Sequence, residues 1–179
     1  MEAPPFALKL RMLKAEEIET LLYGCVTLIL GKEHFTELRT AHHRNVLRII
    51  GLQRRQLTDH LMSYAKARKK AQCEGVETTI HKRRLLFAGG VQRTHNERVT
   101  RRVMFGTMAG GENPGQGRPE NKWAQYLVHD FSVFRATEGY TESVPLVFGV
   151  KTVLWPTAAK KSGTWYRGVV EAAQLFMTT

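Results

Sequence analysis

Residues Phe35 to Gly51, FTELRTAHHRNVLRIIG, decide how this chain is read. Phe35, Leu38, His42, Val46 and Ile49 fall at intervals of three and four, which puts them on one stripe of a helix and leaves Arg39, Arg44 and Arg48 on its other faces. Gly51 is placed to stop the helix. An apolar stripe with cations around it is a pattern that the neighbouring stretches repeat.

Upstream, Ile18, Leu21, Leu22, Cys25, Val26 and Ile29 predict a largely buried first helix, with Glu16, Glu17 and Glu19 near its start and Gly31 at its end. Downstream, Thr58 suits the N-cap of a short helix with Leu61, Tyr64 and Ala65 inside and Lys66, Arg68, Lys69 and Lys70 toward its C-terminus. Val76, Ile80, Phe87 and Val91 predict a fourth helix with His81, Lys82 and Arg83 outward, weakened or ended by Gly89 and Gly90. Five glycines and Pro114 make Gly106 to Gly117 a loop. Pro119 suits the first turn of a helix carrying Trp123, Tyr126, Leu127 and Phe131. Val144 to Val153 reads as a short strand pair, and Thr164 as the cap of a last helix through Trp165, Val169, Ala173 and Phe176. The expected fold is mainly α, several short helices in a small irregular bundle with a short strand pair and a loosely packed C-terminal segment. Its expected parts are a tail over residues 1–14, a basic helical region over 15–131, and an aromatic segment over 132–179 that ends in a helix.

Charge is distributed unevenly over this framework. Lys32 to Arg102 holds 17 Lys/Arg against 6 Asp/Glu and so carries the whole net charge of +11, while the rest of the chain balances. Basicity concentrated on helices suits contact with a polyanion, and nucleic-acid phosphates are the expected target. Arg54, Arg55, Lys69, Lys70, Lys82, Arg83 and Arg84 are the expected contacts. Gly117-Arg118-Pro119 resembles the centre of a minor-groove hook, which adds Arg118. Gln116 before it and Glu120 after it are not the basic flanks of such a hook, and a loop-to-helix junction is the preferred reading there.

Other chemistries lack their residues. The chain has two aspartates, Asp59 and Asp130, 71 positions apart, whereas two-metal nucleotidyl transfer needs converging carboxylates. Cys25, His42, His43, Cys73 and His81 show none of the close pairs of structural zinc sites, and the Gly110 to Gly115 loop lacks the Gly-Lys-Ser/Thr of a phosphate-binding loop. No catalytic residue, metal ligand or cofactor is assigned. The apolar run Leu21 to Leu30 is too short to span a bilayer, and Met1 to Phe6 has acid and proline where a secretion signal has basic residues. Cys25 and Cys73 suit reduced thiols. An intracellular location, the nucleus before the cytoplasm, is expected, with no membrane partner.

Four segments in order carry a family resemblance: Leu21-Leu22-Tyr23-Gly24-Cys25, Asn45-Val46-Leu47-Arg48-Ile49-Ile50, Lys82-Arg83-Arg84-Leu85-Leu86-Phe87-Ala88-Gly89, and Gly117-Arg118-Pro119 shortly before Lys122-Trp123. Together they resemble the C-terminal, thumb and post-palm portion of non-LTR (LINE-like) retrotransposon endonuclease-reverse transcriptases. Trp165-Tyr166-Arg167 with Val169-Val170-Glu171-Ala172-Ala173 is similar to the family's closing helix. The family's Leu-Arg-Trp-Phe-Gly-His pattern is here Leu85-Leu86-Phe87-Ala88-Gly89-Gly90, and its aspartate-pair polymerase motif, palm and nuclease are not matched. The resemblance implies a truncated copy of an RNA-directed DNA polymerase that holds template and primer without catalysing. The expected partner is DNA, RNA or their hybrid. A relic without function, or a partial polymerase inactive on its own, is the alternative.

Overall fold

The computed structural model describes residues 5–52, 62–105, 123–134, 145–148 and 151–178, and in it the chain is mainly helical. It opens with α1 (Phe6–Met12), a π-helical stretch (Leu13–Ile18) and α2 (Glu19–Leu21). The first helix expected to continue through Ile29 instead gives way to turns after α2. Gly24 lies there at φ +69°, a left-handed conformation that glycine adopts freely and that an α-helix does not contain. Leu22 and Cys25 are buried nonetheless, so the apolar spacing marks the inward residues although the backbone between them is not helical. Leu13 is buried as well.

α3 (Lys32–Ile49) buries His42, Val46 and Leu47. At its start the Gly31 N–H donates to His34 Nδ1 (3.1 Å). Its end is a Schellman motif built on Gly51 at φ +85°, with Leu52 N–H donating to Leu47 O and Gly51 N–H to Arg48 O, both at 3.1 Å. α4 (Tyr64–Ala71) is capped by Ser63, whose Oγ accepts from the Lys66 N–H (3.3 Å). The cap expected at Thr58, and Leu61 with it, lie outside the described residues. Ala67 and Ala71 turn inward and Ala65 is exposed, so the buried stripe of α4 is rotated from the expected one.

α5 (Val76–Gln92) runs through Gly89 and Gly90, which neither end nor interrupt it. α6 (Val99–Phe105) and α7 (Trp123–Val133) follow. β1 (Pro145–Phe148) pairs antiparallel with β2 (Lys151–Leu154), Pro145 opposite Leu154 and Phe148 opposite Lys151. α8 (Trp155–Ala159) continues directly from β2, and α9 (Ser162–Thr178) starts before Thr164, which is therefore not its cap. None of the described helices is long and apolar enough to cross a membrane.

The chain divides into two units, Met1–Ile80 and His81–Thr179. In the first, Leu13, Val46, Leu47, Ala67, Ala71 and Cys73 form one buried cluster and Leu22, Cys25, Val76 and Ile80 another. In the second, Leu85, Ala88, Leu127, Phe131, Ala158, Ala159, Trp165 and Val169 form the core. The Trp165 indole N–H donates to Leu85 O (2.9 Å), and Gly89 leaves room for the ring where any Cβ would overlap it.

Candidate functional site

In the first unit, α3 and α4 pack through Val46, Leu47, Ala67 and Ala71, and cations line their outer surfaces. Arg44 and Arg48 are exposed one turn apart on α3; Lys66, Lys69 and Lys70 are exposed at spacings of three and four on α4. The exposed acids Glu33 and Glu37 sit in the first half of α3, before these arginines. Arg39 is engaged, its Nε donating to Glu77 Oε1 at 2.6 Å. Arg68 is partly buried with its guanidinium 5.1 Å from the centre of the Tyr64 ring, a cation–π contact.

Beneath this surface lies a polar chain. The Tyr64 hydroxyl accepts from the Val76 N–H (3.0 Å), one of the orphan donors of α5, and stands 2.8 Å from His42 Nδ1. The direction of that second contact follows the tautomer of His42, whose Nε2 is buried with no hydrogen-bond partner among the described residues. Burial, with the Arg68 charge second, lowers the His42 pKa to about 4, against a weaker opposing pull from Glu77; the ring is neutral at physiological pH. Burial likewise raises Tyr64 to about 12 and shifts the Cys73 thiol upward.

The second unit contains a different constellation. His81 and Arg84, one turn apart on α5, both reach Asp130 on α7: His81 Nδ1 donates to Asp130 Oδ1 at 2.6 Å and Arg84 Nη1 to the same oxygen at 3.3 Å. All three residues are buried. His129, beside Asp130, is exposed, and its ring centre is 5.9 Å from that of His81.

The expected phosphate contacts are thus placed in several ways. Lys69 and Lys70 are exposed, and Lys82 and Arg83 are half-buried on α5. Arg84, at 2 % exposure, is a correction to that set, because its guanidinium faces Asp130 and does not lie on an outer basic face. His81, expected outward, is inward for the same reason. Arg54, Arg55 and Arg118 lie outside the described residues. The grouping of His81 with His129 and Asp130 leaves no close pair in the sequence, because 48 positions separate the two histidines and only the packing of α5 and α7 brings them together. The signal available was the His129-Asp130 dipeptide and the spacing of three between His81 and Arg84, which sets both on one helix face. No protein-family model, curated protein or solved structure matches the chain.

Proposed function

We propose that this protein is a non-catalytic nucleic-acid-binding module of the retrotransposon reverse transcriptase type, holding DNA, RNA or a template–primer hybrid by its phosphates. The observation that carries the reading is the set of five exposed cations, Arg44, Arg48, Lys66, Lys69 and Lys70, on two helices that pack together. Phosphate contacts position a protein without reading bases, so binding is largely indifferent to sequence. The family resemblance quoted above supports the template–primer class of ligand. A purely binding role is supported by the surroundings of Asp130, whose Oδ1 is taken by His81 and Arg84 under full burial, an arrangement unlike the paired, accessible carboxylates of a magnesium-dependent polymerase.

A salt-titrated measurement on labelled duplex and hybrid tests the proposal. If each of the five cations displaces one counterion, log K falls with log salt at a slope of about −4.5, a loss of about 500-fold between about 50 and 200 mM. Charge reversal in Lys69→Glu/Lys70→Glu lowers affinity and flattens that slope by about 2. Affinity that hardly responds to salt, or survives the double reversal, overturns the reading. Extension of a primer by the purified chain with magnesium would show it to be an enzyme instead.

A further inference from the structure

We infer that His81, His129 and Asp130 form a binding site for a divalent transition-metal ion, Zn²⁺ being the ion that fits best. One donor atom from each residue can be chosen so that all three lie within 4.8 Å of one another. Around a tetrahedral Zn²⁺ with bonds of about 2.0–2.1 Å, donor atoms stand about 3.3 Å apart. The difference of about 1.5 Å is within reach of a rotation of His129, because its ring is exposed and not held by the core.

Asp130 provides the second reason. Its buried carboxylate receives both of its hydrogen bonds, from His81 and Arg84, on Oδ1, while Oδ2 is buried with no hydrogen-bond partner among the described residues. A buried carboxylate oxygen left without a donor is costly, and a cation is the partner such an oxygen lacks. Ligation through Oδ2 leaves Arg84 on Oδ1 as an outer-shell group that orients the carboxylate. His81 Nδ1, 2.6 Å from that carboxylate, is the adjacent nitrogen ligand: on binding it releases its proton to solvent and exchanges its hydrogen bond to Oδ1 for the bond to the metal, and His129 closes the set from the solvent side. Two imidazoles and one carboxylate favour zinc over magnesium or calcium, which take oxygen ligands. The guanidinium of Arg84 beside the site opposes a second positive charge, so affinity belongs in the micromolar rather than the nanomolar range.

The test uses the full chain, stripped with a chelator and without nucleic acid, so that its result is independent of phosphate binding. Zn²⁺ is titrated in competition with a chromophoric chelator, and Co²⁺ is added as a spectroscopic stand-in. We expect one equivalent of Zn²⁺ per chain at micromolar Kd and the intense visible bands of four-coordinate Co²⁺. His129→Ala, a surface change that leaves the far-ultraviolet circular dichroism intact, weakens Zn²⁺ at least about tenfold and abolishes those bands. His95→Ala, at an exposed histidine outside the cluster, changes neither. Asp130→Asn, which keeps the side-chain volume, also loses the bands. Zn²⁺ binding no tighter than millimolar, or affinity unchanged in His129→Ala, overturns the site and leaves His81, Arg84 and Asp130 as a packing triad.

Discussion

His42 shows how one buried residue makes stability depend on pH. Its folded pKa of about 4 lies below the ordinary 6.5, so at intermediate pH the unfolded chain binds a proton that the folded chain refuses. The contribution is complete above about pH 6.5 and is lost as pH falls toward 4, amounting to at most about 3 kcal/mol. Arg68 and His43 oppose the added charge and Glu77 favours it, so the direction is set by burial and Arg68 together. In His42→Asn, whose amide can pair with the Tyr64 hydroxyl in either direction, urea midpoints followed by circular dichroism should lose that part of the drop between pH 7 and 4.5. Gly89 and Gly90 offer a paired experiment on packing. Alanine is the better helix former by about 1 kcal/mol, and at Gly90 a methyl meets nothing within 4 Å, so Gly90→Ala should raise the unfolding midpoint. At Gly89 the same methyl runs into the Trp165 indole, and overpacking of about 1–3 kcal/mol should make Gly89→Ala destabilising.

Among the elements, α4 ends in an unusual way. Its Schellman motif places Gln72, not glycine, at φ 51°, with Gln72 N–H donating to Lys69 O (3.3 Å) and Cys73 N–H to Arg68 O (3.2 Å). Gln72→Gly removes the steric cost of that conformation and should stabilise the protein by about 0.5–1 kcal/mol, read as a higher thermal midpoint. α3 was legible from sequence because its stripe is regular and its stop signal is a glycine of the right kind. α4 was less so: the three alanines Ala65, Ala67 and Ala71 carry too little apolar contrast to say which way the helix faces. α5 misled in the opposite sense. Its glycines read as a terminus, but one of them exists to admit an aromatic ring from α9, a long-range packing need that has no local signature. The same holds for the buried face of α5, where His81 and Arg84 look like surface residues until Asp130 is known to meet them.

At the scale of the molecule, the clustered charge and the two cores fall out differently. The basic stretch Lys32 to Arg102, with its net charge of +11, has residues in both units. The exposed lysines and arginines of α3 and α4 belong to the first unit, and the histidine–aspartate cluster to the second. Aliphatic, alanine and cysteine side chains build the cores of the first, whereas Trp165 and Phe131 anchor the second. All three tryptophans, Trp123, Trp155 and Trp165, lie beyond Ile80. Intrinsic tryptophan fluorescence therefore reports on the second unit, and melting of the first must be followed by a signal that the backbone itself supplies.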